Sequence, residues 1–118
     1  MNHLEEREAV KFVLNGRSFD TATSSQVAID RGVKERNSYG VIDDDYPSAD
    51  QIRYEHVLFR TAKGAFFLHD HTTVKYKNGK PVVKDEANEF TPEEAMEWIS
   101  RSGAAIIDST GLPLPGEA

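Results

Sequence analysis

Four histidines stand in a chain that has no cysteine. Metal chemistry here must therefore rest on imidazole and carboxylate ligands, with no thiolate available. His69 and His71 lie one residue apart in Ala65-Phe66-Phe67-Leu68-His69-Asp70-His71, a stretch dense in strand formers. Residues two apart on a strand point to the same face, so the two imidazoles sit side by side in a geometry that suits one metal ion. The third ligand depends on how this strand pairs with Tyr54-Glu55-His56-Val57-Leu58-Phe59-Arg60. If Arg60 pairs with Ala65, His56 faces His69 and Tyr54 faces His71. If Gly64 instead takes the left-handed position of a three-residue loop with a bulge, Thr61 pairs with Ala65. His69 and His71 then share a face with Glu55, and His56 sits opposite Asp70. Thr61-Ala62-Lys63-Gly64 favours the second register. No HExxH or other catalytic signature accompanies the pair. The plainer reading, a strand whose end turns polar, is taken over a metal site, and no metal ligand or cofactor is assigned.

The remaining constellations are acidic. Asp43, Asp44 and Asp45 are adjacent and Asp50 follows closely, but the alternating ligands, central Gly and terminal Glu of an EF-hand loop are missing. Three neighbouring carboxylates repel one another and hold a segment extended, which suits docking against a basic partner. There is no GxSxG, P-loop or GxGxxG, and Ser24-Ser25 has no identifiable base. Acyl and phosphoryl transfer are not expected on that ground and the chain is read as non-enzymatic.

Charge is unevenly laid out. From Arg53 to Lys84 seven basic residues stand against two acidic ones, a balance of +5, while Asp85 to Glu97 holds six acids and no base. Lys75, Lys77, Lys80 and Lys84 fall around Asn78-Gly79. A basic hairpin of this kind can track phosphates, although exposed strands also carry lysine simply to block edge pairing.

Turn signals divide the chain into the elements that must position these groups. Asn15-Gly16 predicts a two-residue type I′ hairpin that pairs Leu14 with Arg17 and Phe12 with Phe19, with Val10, Phe12, Leu14 and Phe19 on the core face. Asn78-Gly79 predicts a second, with Val74 opposite Val83, Tyr76 opposite Pro81, and the lysines together on the other face. The hairpin through Thr61–Gly64 lies at the centre of the sheet, because apolar residues fall on both of its faces. Thr91-Pro92-Glu93-Glu94 opens a helix with a capping box, Gly103 ends it, and Trp98 packs it on the sheet. Ala104–Ile107 adds an edge strand. Ser24–Arg31 reads as either a short helix or a strand. Residues 33–53 read as a long acidic loop, and residues 1–8 and 109–118 as frayed.

The expected fold is a single α+β domain over residues 1–118: an antiparallel sheet of five or six strands with one C-terminal helix on one face. With 118 residues and a net charge of −6, there is enough chain for one core and too little for two. No stretch is long and apolar enough for a signal peptide or membrane span, and the missing cysteines suit a reducing compartment, so a cytosolic location is expected.

Phe12-Val13-Leu14-Asn15-Gly16-Arg17-Ser18-Phe19-Asp20-Thr21, Leu58-Phe59-Arg60-Thr61-Ala62-Lys63-Gly64-Ala65-Phe66-Phe67-Leu68 and Thr91-Pro92-Glu93-Glu94-Ala95-Met96-Glu97-Trp98 occur in that order. Together they resemble a group of small proteins encoded by phages and mobile elements in bacteria. Proteins of this size, acidity and origin include inhibitors of host defence such as anti-CRISPR proteins. The resemblance implies a protein-binding module that blocks a nucleoprotein complex with a basic surface. Contact is expected on Asp43, Asp44, Asp45 and Asp50, with Glu93, Glu94 and Glu97 second. A metal-dependent enzyme built on His69 and His71 is the alternative, and nucleic-acid binding by the lysine hairpin a further one.

Overall fold

Gly-containing turns set most of the strand pairing in the computed structural model, which describes residues 9–36 and 46–113. Strand β1 (Lys11–Leu14) turns at Asn15-Gly16 into β2 (Arg17–Asp20). Both turn residues take positive φ, 53° and 74°, and the pairs Leu14↔Arg17 and Phe12↔Phe19 form as the type I′ turn requires. A 3₁₀ turn at Thr21–Thr23, capped by the Asp20 carboxylate, leads into β3 (Ser25–Glu35). There follow β4 (Ala49–Arg60), β5 (Phe66–Tyr76), β6 (Val82–Phe90), helix α1 (Pro92–Ser102) and β7 (Ala105–Ile106). Five strands make one antiparallel sheet in the order β6-β5-β4-β3-β7, and β1–β2 form a separate two-stranded sheet. The class is α+β, as the sequence leads one to expect. Among the described residues no helix is long and apolar enough to cross a membrane.

The sheet is covered on both faces at one end. On one side α1 buries Ala95, Trp98 and Ile99 against Val27, Leu58, Phe66 and Leu68. Its capping box is complete, with Thr91 Oγ1 accepting from Glu94 N at 3.1 Å and Glu94 Oε1 accepting from Thr91 N at 2.9 Å. Gly103, at φ 71°, ends the helix. On the other side the β1–β2 hairpin lays Phe19 against Val57, Phe59 and Phe67, with Phe12 and Leu14 at its margin. Phe59 and Phe67 stack at 5.1 Å and Phe19 meets Phe67 edge-on at 5.3 Å. Burial of each such side chain contributes about 1.5–3 kcal/mol. Beyond the reach of helix and hairpin the sheet continues with polar faces, held by a small cluster of Ala49, Ile52 and Val74.

One open reading is resolved and two expectations are corrected. The Ser24–Arg31 segment, open between helix and strand, is strand from Ser25 onward, paired along β4 with a bulge between Gln26 and Ala28. Strand also extends into the segment read as a loop over 33–53, since Glu35 pairs with Gln51 and Lys34 with Ile52. The Arg36 guanidinium holds that end, bonding the Ala49 and Pro47 carbonyls and lying 3.2 Å from the Asp50 carboxylate. Residues 109–113 are not frayed, because Leu112 enters the helix-side core and Arg60 bonds the Thr110 carbonyl.

The largest change is in the second lysine-bearing hairpin. Val74 pairs with Val82 and Thr73 with Val83, one residue away from the register that a two-residue Asn-Gly turn imposes. Gly79 takes a positive φ of 115°, whereas Asn15 is the one non-glycine to do so among the described residues, so Asn78-Gly79 is no type I′ turn. A one-residue slip exchanges the faces of a strand. Lys84 consequently sits opposite Thr72 on the helix side, away from Lys75, and the shared basic face does not form.

Candidate functional site

The central hairpin adopts the bulged register. Thr61 N donates to the Ala65 carbonyl at 2.8 Å, Gly64 has φ 88°, and Arg60 pairs with Phe66. His69 and His71 therefore project from the hairpin-covered face of the sheet, and Glu55 lies directly opposite His71. His56 falls on the other face, paired with Asp70, its Nδ1 3.5 Å from the Asp70 carboxylate. It cannot join the other two imidazoles.

What joins them is Asp85. In the two-residue-turn register, with Val74 opposite Val83, the residue opposite His71 would be Glu86. In the observed register His71 pairs with Asp85. A single oxygen, Asp85 Oδ1, accepts from His71 Nδ1 at 2.7 Å and from His69 Nε2 at 2.7 Å. The choice of nitrogens follows from position: the directly opposed ring reaches the carboxylate with its near nitrogen, and the diagonal ring with its far one. Ala87, opposite His69, is small and leaves the ring room to lean toward Asp85. The His69 side chain is 1% exposed, while Asp85 and His71 are 31% and 37% exposed. Phe12 of the hairpin packs its ring against His69 with centroids 5.0 Å apart.

Burial alone pushes the Asp85 carboxyl up, but the hydrogen bonds from His71 and His69, and the charge on those rings, outweigh it and hold the carboxyl below the ordinary carboxylate range. Asp85 is thus an anion at neutral pH, aimed at two imidazole nitrogens. One ring nitrogen of His69, one of His71 and an Asp85 carboxylate oxygen all lie within 4.8 Å of one another. Two imidazoles and one carboxylate are a ligand set for zinc or another divalent transition ion, and three protein ligands leave coordination positions open. An ion so held would polarise a bound oxygen and acidify a bound water to about pKa 7. A groove of about 440 Å³ opens beside His71, lined also by Arg31, Val33, Arg53, Glu55 and Thr73.

Of the acidic residues singled out from the sequence, most of the described ones are engaged within the molecule. Asp43, Asp44 and Asp45 lie outside the described residues. Asp50 is engaged by Arg36. Glu94 is committed to the helix cap, Glu97 lies 3.7 Å from Arg101, and Glu93 is exposed in the first turn. Of the acidic run Asp85–Glu97, Asp85 and Glu86 point to opposite faces, with Lys84 3.1 Å from Glu86, and Glu89 bonds Asn15 and Arg17 of the hairpin. Sequence reasoning missed Asp85 because its face depends on whether the lysine-bearing turn is odd or even in length. Comparison of the chain with protein-family models, with curated proteins and with solved structures found no match.

Proposed function

We propose that the protein binds one divalent transition-metal ion, zinc above all, through His69 Nε2, His71 Nδ1 and the Asp85 carboxylate. The observation that carries this reading is that one carboxylate oxygen lies 2.7 Å from a nitrogen of each ring. Those atoms need only small side-chain rotations to separate to the spacing of ligands that each stand about 2.0–2.2 Å from a shared ion. A hydrogen-bonded network without metal is the competing explanation, and metal content separates the two. Protein purified from zinc-supplemented cells and dialysed against buffer retains about one equivalent of zinc by elemental analysis. The His69→Ala, His71→Ala double variant retains none. Wild-type protein that carries no metal under these conditions would overturn the reading.

A second reading has one observation in its favour: α1 presents Glu93 and Glu97 on its exposed outer face. On this reading the protein is a cytosolic partner-binding module of phage or mobile-element origin that blocks a nucleoprotein complex through acidic surfaces. Reversal of Glu93 and Glu97, together with Asp43, Asp44 and Asp45, to lysine would abolish capture of such a complex while leaving the fold intact. Unchanged capture would sink it.

A further inference from the structure

We propose that the groove beside the metal centre binds an oxyanion, the phosphate or carboxylate group of a small molecule, and does so only when the metal is in place. The inference rests on the metal reading above and names the ligand that completes the site.

Two adjacent rungs of the sheet run through the groove, lined by Arg31, Glu55 and His71 of the first and Val33, Arg53 and Thr73 of the second. Across β3, β4, β5 and β6 the first runs Arg31, Glu55, His71, Asp85, and the second runs Val33, Arg53, Thr73, Val83. All eight side chains project from the same face, since paired residues share a face and residues two apart on a strand do so again. The first rung thus places an arginine at one end and the metal-ligating pair at the other. The second brings Arg53 and the Thr73 hydroxyl alongside.

One flank of the centre is closed. The β1–β2 hairpin closes the His69 flank, where Phe12 packs against the ring and the His69 side chain is 1% exposed. The His71 side chain, 37% exposed, is both a ligand and a wall of the groove. An ion held by these three groups has its open coordination positions away from the hairpin flank, on the exposed side that the groove borders through His71.

Charge decides what can enter. With neutral imidazoles, Arg31 and Arg53 balance Glu55 and Asp85, and the site is electrically neutral. A divalent ion makes it +2, in a concave space of about 440 Å³ that is large enough for an oxyanion with a substituent. Guanidinium groups present paired donors to phosphate or carboxylate oxygens, Thr73 offers a hydroxyl, and the ion accepts an oxygen as its fourth ligand. Without the ion, Glu55 and Asp85 oppose an anion as strongly as the arginines attract it.

Cobalt(II) is the probe, because its visible absorption reports changes in coordination. Titration of cobalt-loaded protein with inorganic phosphate is expected to change the spectrum saturably. Succinate serves as the carboxylate arm, and whichever anion binds more tightly identifies the group preferred. The Arg31→Ala, Arg53→Ala double variant changes exposed side chains, binds cobalt as the wild type does, and requires at least tenfold more anion. Calorimetry on metal-free protein detects no anion binding. Failure of cobalt to bind the wild type overturns the metal reading itself. Cobalt that binds while neither anion changes its spectrum, or an anion response equal in the double variant, or equal anion affinity without metal, overturns this inference and leaves the metal reading standing.

Discussion

Truncation of Asp85 to alanine is the sharpest probe of the histidine network, and its cost in metal-free protein can be worked from the geometry. Asp85 Oδ1 accepts two charge-assisted hydrogen bonds of 2.7 Å. The bond from His69 is made by a ring that is 1% exposed. Removing its acceptor leaves a buried donor unsatisfied, which costs about 1–3 kcal/mol. The bond from His71 is replaced in part by water, because that side chain is 37% exposed, and its loss costs about 0.5–1 kcal/mol. The expected destabilisation is therefore about 1.5–4 kcal/mol at pH 7, a lowering of the urea midpoint by about 1–2 M for a domain of this size. Asp85→Asn keeps an acceptor without its charge and is expected to cost about half as much. Trp98, the single tryptophan and 6% exposed in the core, reports unfolding by its fluorescence, with chelator present throughout. Acid supplies a second check. The folded-state Asp85 pKa is lowered, so its stabilisation is complete above the unfolded carboxylate pKa of about 4 and disappears as pH falls through the folded value. The gap between wild type and Asp85→Ala must narrow below about pH 4. An Asp85→Ala variant within about 0.5 kcal/mol of wild type at pH 7, or a gap that persists in acid, would refute the reasoning.

Other perturbations test the scaffold. Trp98→Ala removes the largest side chain that α1 buries and is expected to cost about 3–5 kcal/mol in urea unfolding followed by circular dichroism. Thr91→Ala removes the Oγ1 acceptor of the capping box while keeping the backbone N–H that donates to Glu94, and should cost about 1 kcal/mol by the same measurement. A Cβ on Gly32 would stand 2.5 Å from the Tyr54 hydroxyl oxygen and 2.8 Å from its Cζ. Gly32→Ala therefore costs about 1–2 kcal/mol, and removal of the ring in a Gly32→Ala, Tyr54→Ala double variant recovers most of the steric part, giving a non-additive cycle.

Much of the fold was legible because local chemistry and tertiary packing agree. Asn15-Gly16 dictates a turn, and its pairing partners follow from counting. Thr61–Gly64 dictates the bulged loop that sends His56 to one face and His69 with His71 to the other. Thr91, Glu94 and Gly103 delimit a helix whose apolar stripe requires a sheet to cover it. Legibility failed where local signals were even-handed. Val27, Ala28 and Ile29 suit a helix or a strand, and only pairing with β4 decides. The polar residues of Val33–Glu35 hide a strand, because one with solvated faces lacks apolar alternation. Asn78-Gly79 looked like a second type I′ turn and is not. That one-residue slip carries Asp85 onto the histidine face and Lys84 off the presumed basic one, so the third member of the candidate site was invisible without the register. The −6 net charge likewise misled as a surface property. Asp85, Glu89, Glu94 and Asp50 are each engaged with groups inside the molecule, and fewer acids remain for a partner than the composition suggests.

The most direct test of the metal centre is anomalous diffraction from crystals grown with zinc, with data taken on both sides of the zinc absorption edge. One anomalous peak is expected about 2.0–2.2 Å from each of His69 Nε2, His71 Nδ1 and an Asp85 carboxylate oxygen, with remaining density toward Arg31 and Arg53. Asp85 still hydrogen-bonded to both imidazoles, with no anomalous density between them at saturating zinc, would contradict it.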